Sequence, residues 1–149
     1  MILSERIVIE ARSWIGTPYR HQASAKGLGC DCLGLVRGVW RNVIGPEPET
    51  VPAYSPDWGE TNRREPLLNA GRRHFIERDL RDIAPGDVLL FRWRPHLPAK
   101  HCAILVAGPY ADGGSIVHAY DAAGGVHESY LESWRDKLAA AFSFPVEEA

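Results

Sequence analysis

Cys32, His101 and His118 are the residues whose types and placement could do covalent chemistry. Cys32 stands where a loop carrying Gly27 and Gly29 runs into an apolar-periodic segment that reads as a helix. The first N–H groups of a helix are unpaired and carry partial positive charge. A thiolate at that position is stabilised, its pKa falls, and it becomes a nucleophile near neutral pH. The same N–H groups can hold an oxyanion formed by attack on a carbonyl. His101 opens an apolar run after a polar loop, and His118 lies in the next such run. If the two runs pair as a hairpin, His101 can take the thiol proton and His118 can fix its tautomer and orientation. That is the nucleophile, base and orienter arrangement of acyl transfer. Taken alone, Cys32 reads first as a small buried hydrophobe on the core face of its helix, and its context must overturn that reading.

The elements around these residues follow from hydrophobic period. Residues 4–16 predict a first helix, with Ile7, Ile9, Ala11, Trp14 and Ile15 as its apolar face and Gly16-Thr17-Pro18 as its stop. Residues 17–30 predict a loop. Cys32, Leu35, Val36, Val39, Trp40 and Val43 recur at helical spacing, so a second helix starts near Asp31 or Cys32 and ends at Gly45-Pro46. Residues 46–66 are proline-rich and predict an irregular excursion, and 65–80 is a weaker helix candidate. Then the period changes to that of strands: Val88–Arg92 after the Pro85-Gly86-Asp87 turn, His101–Ala107, Ser115–Tyr120 and Val126–Tyr130. Consecutive strands with short connections predict an antiparallel sheet. Helices followed by strands predict an α+β domain, one domain over residues 1–149, with the N-terminal helices packed on one face of the sheet.

Composition bounds the function classes. At 149 residues the chain is long enough to bury a core without disulfides or metals. A formal net charge of −2, with Arg63, Arg64, Arg72 and Arg73 interleaved with acids, gives no basic stripe for nucleic acid. No apolar run is long enough to span a bilayer, and the charged start MILSERIVIEARSW does not read as a secretory signal. The expected site of synthesis and folding is the cytoplasm. Three cysteines, an odd number, argue against a disulfide framework.

The segment WIGTPYRHQASAKGLGCDCLGLVRGVW resembles the N-terminal motif of the NlpC-type cell-wall peptidases, a papain-like family. The matching residues are Gly16, Pro18, Tyr19, Asp31, Cys32, Gly34 and Leu35. PGDVLLF (Pro85–Phe91), HCAILVAG from His101, and IVHA with His118 resemble the family's later strands, in family order. The resemblance implies a papain-like fold and a Cys32, His101, His118 triad that needs no metal or organic cofactor. It implies hydrolysis of the peptide stems of bacterial peptidoglycan, typically between γ-D-glutamate and a diamino acid. It also implies that Tyr19 lines the site near the nucleophile or oxyanion, and that Asp31 helps bind a substrate amine. Their plainer roles are a loop anchor for Tyr19 and a helix N-cap for Asp31. Leu33, where the family usually has serine, Arg20-His21-Gln22 before the loop, and a long stretch from His101 to His118 depart from the pattern. The combination GTPYRHQ with GCDCLGLVRG is most similar to the phage-type branch, which includes tail-associated peptidases of phages and gene transfer agents. That implies phage-type tail or baseplate proteins as partners, no membrane insertion, and a virion-borne enzyme acting on the wall in the periplasm.

Two other readings compete. Cys30, Cys32, His101, Cys102 and His21 could form a zinc site, but C-x-C and an adjacent His-Cys lack the usual ligand spacing. Adjacent His101 and Cys102 on a strand face opposite ways. The other reading is an inert tail or hub module that keeps the fold without activity. His21, His74, His96 and His127 read as surface or loop residues. Trp14 and Trp40 read as core, while Trp58, Trp93 and Trp134 are open between core, groove wall and contact surface.

Overall fold

A computed structural model describes residues 1–49, 65–109 and 113–145. Of the excursion expected over 46–66, residues 50–64, with Trp58, Arg63 and Arg64, lie outside the described residues, as do residues 110–112. Three helices, α1 (Leu3–Arg12), α2 (Cys32–Val43) and α3 (Pro66–His74), pack on one face of a six-stranded antiparallel sheet. Between α1 and α2 the chain forms a short ribbon of β1 (Ser24–Ala25) and β2 (Gly29–Cys30). The sheet contains β3 (Ile76–Arg78), β4 (Val88–Phe91), β5 (His101–Ala107), β6 (Ser115–Tyr120), β7 (Gly125–Tyr130) and β8 (Leu138–Ser143). Its spatial order is β3-β8-β4-β5-β6-β7, so the strands that carry His101 and His118 are neighbours, each paired on both sides.

Period-2 alternation splits the apolar strand residues between two cores. Val88, Leu90, Cys102, Ile104, Val106, Val117 and Ala119 meet Ile7, Ala11, Trp14, Leu35 and Val39 from the helices. Leu89, Phe91, Ala103, Leu105 and Ile116 face the other way, onto Ile83, Leu131 and Trp134. Both faces are therefore covered, and β4 is buried along its whole length. Each large apolar side chain fully buried this way stabilises the fold by about 1.5–3 kcal/mol.

Several sequence expectations are corrected. The first helix stops at Arg12, not residue 16, because residues 13–16 tighten into turns that aim the chain at β7. Its face is accordingly narrower: Ile7, Ala11 and Trp14 are buried, whereas Ile9 is 57% and Ile15 45% exposed. The candidate helix at 65–80 ends at His74, and Ile76–Arg78 instead pairs with β8 as an edge strand. The sequence pattern does not predict β8, since Ala139, Ala140 and Ala141 favour helix and mask its alternation. The loop at 17–30 contains the β1–β2 ribbon, and Val88–Arg92 shortens to Val88–Phe91.

Gly34 and Gly38 set how closely α2 approaches its neighbours. A Cβ on Gly34 would lie 1.8 Å from the Ala23 carbonyl oxygen, and one on Gly38 would lie 2.1 Å from the Trp14 ring. The loop over the first turn of α2 is therefore in direct backbone contact with it.

Candidate active site

The start of α2 is fixed by Asp31, an N-cap that is 2% exposed. Its Oδ1 accepts from the Gly34 N–H at 2.8 Å and its Oδ2 from the Gln22 N–H at 2.7 Å. The second bond holds Gln22 in a left-handed conformation, φ 65°. Ser24 Oγ donates to the Gly34 carbonyl at 2.6 Å, closing the loop over the helix. Cys32, the first helical residue, is half-buried, and its Sγ lies 3.8 Å from the Lys100 carbonyl oxygen.

Lys100 precedes His101, so this contact brings the helix start against the head of β5. The Cys102 thiol hydrogen-bonded to Cys32, and then the hydrogen bond and charge of His101, hold the Cys32 thiol well below the usual thiol range, against the opposing effect of burial. The proton affinity moves the other way at Cys102, whose thiol is pushed well above that range by its bond to Cys32 and by burial. Cys30, wholly buried beneath the loop, is raised to about 12, chiefly by burial. One sulfur of the three is thus set up as a thiolate.

His101 and His118 are buried, with 5% and 0% of their surface exposed. His101 Nε2 lies 2.8 Å from His118 Nδ1, and His118 Nε2 lies 2.9 Å from Ser129 Oγ. Burial, then the charges of His101 and His127, bring the His118 pKa down to about 3, so its imidazole is neutral throughout the neutral range. Aromatic rings enclose the pair. Trp93 and Trp134 lie 5.5 and 5.3 Å from His101 by ring centroid, and Tyr120 is parallel to His118 at 5.7 Å. His127, directly across from His118 in the β6–β7 register, is 4.8 Å away and half-buried.

Tyr19 is half-buried against the helix-side core. Its N–H donates to the Gly124 carbonyl, which anchors the loop. Its phenol is raised to about 12, first by burial and then by the negative charges of Cys32 and Asp31, so it stays a hydrogen-bond donor.

The structure therefore brings Cys32, His101 and His118 together, with Asp31 under the helix start and Tyr19 beside it. His21 Nδ1 stands 3.9 Å from Asp31 Oδ2, and His74 pairs with Glu49 at 3.0 Å, away from the pair of imidazoles. Among the described residues no group of three or more His, Cys, Asp or Glu side chains is placed to hold a metal ion. The sequence alone leaves out Ser129, although it falls two residues after His127 on the same face of β7. It also gives Cys102 only a core role, since its contact with Cys32 depends on where α2 docks. Trp93 and Trp134 resolve as the wall around His101.

A family model for NlpC/P60 matches residues 16–142. Among solved structures, the chain superposes on NlpC2 from Trichomonas vaginalis with a TM-score of 0.69 and 19% identity, covering 98% of this chain and 48% of that one. The NlpC/P60 domain of the peptidoglycan hydrolase SagA gives 0.65 and 23%, covering 95% and 98%. The peptidoglycan hydrolase RipB from Mycobacterium tuberculosis gives 0.63 and 16%, covering 98% and 66%. The chain thus spans about half the length of NlpC2 and nearly all of the SagA domain. No curated protein matches it in sequence.

Proposed function

The chain belongs to the NlpC/P60 family, and from that premise we propose that it is a cysteine peptidase that hydrolyses the peptide stems of peptidoglycan. The observation that carries this reading is the Cys32 thiol at the head of β5, its pKa lowered by Cys102 and His101, beside a buried pair of imidazoles 2.8 Å apart. The solved relatives that are peptidoglycan hydrolases support the choice of substrate.

In this mechanism the Cys32 thiolate attacks the scissile carbonyl. The N–H groups at the start of α2, with the Tyr19 hydroxyl, stabilise the oxyanion. His101 gives its proton to the leaving amine and then takes one from the water that releases the acyl group. His118 holds His101 in place. Asp31 fixes the helix start, and its charge favours a substrate amine at the rim beside His21. The preferred bond joins γ-D-glutamate to a diamino acid.

The setting we propose is a phage or gene-transfer-agent tail that delivers the enzyme to the wall in the periplasm. The motif pair GTPYRHQ and GCDCLGLVRG supports it. The test is incubation of the chain with purified peptidoglycan, followed by mass spectrometry of the fragments. Wild-type protein should release stem-peptide fragments and Cys32→Ala should release none while remaining folded. Digestion by Cys32→Ala, or none by the wild type, refutes the reading.

A further inference from the structure

The proposed chemistry demands one tautomer of His118. His101 Nε2 and His118 Nδ1 face each other at 2.8 Å, so one hydrogen lies between them. With Nε2 so engaged, Nδ1 is the His101 nitrogen left for the Cys32 thiol. As a neutral base, His101 must keep Nδ1 bare and carry its hydrogen on Nε2. As an imidazolium beside the thiolate, it carries hydrogens on both nitrogens. In either state Nε2–H donates, and His118 Nδ1 must accept. Neutral His118 then has its only hydrogen on Nε2. Were the hydrogen on Nδ1 instead, it would point at His101 Nε2. The neutral His101 would then carry its own hydrogen on Nδ1, toward the thiol, and could not act as base.

His118 is fully buried, so bulk water cannot choose between these forms. The group that its Nε2 meets is Ser129 Oγ, at 2.9 Å. Ser129 stands opposite Ile116 in the β6–β7 register, and His127 opposite His118. The His118 ring therefore reaches Ser129 diagonally across one face of the strand pair, a normal span for side chains on paired strands. We propose that Ser129 is a positioning residue that acts through His118: its hydroxyl oxygen accepts the Nε2–H and so keeps Nδ1 as the acceptor for His101. An alanine there would leave a buried N–H without a partner, which favours moving that hydrogen to Nδ1.

The inference rests on the peptidase reading for its purpose, but its test does not. The full chain, labelled with ¹⁵N-histidine, is examined by long-range ¹H–¹⁵N correlation, which reports the tautomer of each imidazole. Alkylation of Cys32 by iodoacetamide at pH 7 is measured alongside. Wild type should show His118 with its hydrogen on Nε2. Ser129→Ala should lose that pattern and slow alkylation by about tenfold or more, the scale on which a misplaced general base costs rate. Ser129→Thr, which keeps the hydroxyl in a residue suited to a strand, should restore both.

An Nδ1–H tautomer in the wild type overturns the proposal. So does an unchanged Nε2–H tautomer in Ser129→Ala, or a changed tautomer with unchanged alkylation. If the tautomer and thiol respond as expected while the wild type leaves peptidoglycan intact, the hydrolase reading falls and the role of Ser129 stands.

Discussion

The thiol side and the imidazole side of the site are assembled over very different distances along the chain. Around Cys32, the hydrogen bonds of Asp31 to Gly34 and Gln22 and of Ser24 to Gly34 close over 3, 9 and 10 residues. On the other side, His101 meets His118 across 17 residues and His118 meets Ser129 across 11, both only once strands pair. The two sides touch where Cys32 Sγ approaches the Lys100 carbonyl, 68 residues away. The thiol is therefore placed by a loop folded back on its own helix, and the imidazoles by sheet register. Damage to the first should appear as local loosening, and damage to the second as lost proton control.

Acid should expose the strand side most. The His118 pKa is about 3 in the folded chain and about 6.5 when unfolded. Between those values the unfolded state binds a proton that the folded state refuses, so stability falls as pH drops from about 6.5 toward 3. The slope is about 1.4 kcal/mol per pH unit over the steep part, a few kcal/mol in all. Urea melts of wild type and His118→Asn across this range should show the wild type losing more. Parallel curves would remove the premise that His118 is held neutral.

On the helix side, Gly34→Ala forces a Cβ to 1.8 Å from the Ala23 carbonyl oxygen. Overpacking against backbone should cost about 3 kcal/mol in equilibrium denaturation. Unchanged stability would mean that the loop does not seat on α2. Asp31→Ala removes the cap and a second acceptor, and should cost about 1–2 kcal/mol. Amide exchange at Gly34 and Gln22 should accelerate in that variant while β5 and β6 stay protected. Equal acceleration throughout would erase the contrast between the two sides.

The smallest effect is expected at their junction. Cys102→Ala deletes the thiol that donates to Cys32, so the Cys32 pKa should rise toward the ordinary thiol value. The pH profile of iodoacetamide alkylation should move to higher pH, with His101 still in place. A fixed profile would assign the lowered pKa to His101 alone.

This division of labour also explains what could be read from the sequence. Cys32 after Asp31, the helical spacing of α2 and the loop glycines Gly27 and Gly29 are local signals, and they put Cys32 at a helix start. The pairing of β5 with β6 is legible as two successive apolar runs, and it brings His101 and His118 together. Ser129 needed the β6–β7 register, which no single strand encodes. The alanine-rich β8 carries little alternation and gains its identity only by lying between two other strands. The contact of Cys102 with Cys32 depends on docking a helix end against a strand end.

The place of β8 in the sheet has a consequence for how the polypeptide must be made. Lying between β3 and β4, it follows every other described strand along the chain and yet is paired on both sides. The ribbon of β4, β5, β6 and β7 can pair in order of synthesis, while β3 waits for a partner some sixty residues downstream. Until that partner arrives, β4 presents Val-Leu-Leu-Phe along an open edge, with its N–H and C=O groups unmatched. A chain cut before Leu138 would keep both imidazoles and the thiol. It would also keep an adhesive apolar border, and such fragments would meet one another before they met a substrate.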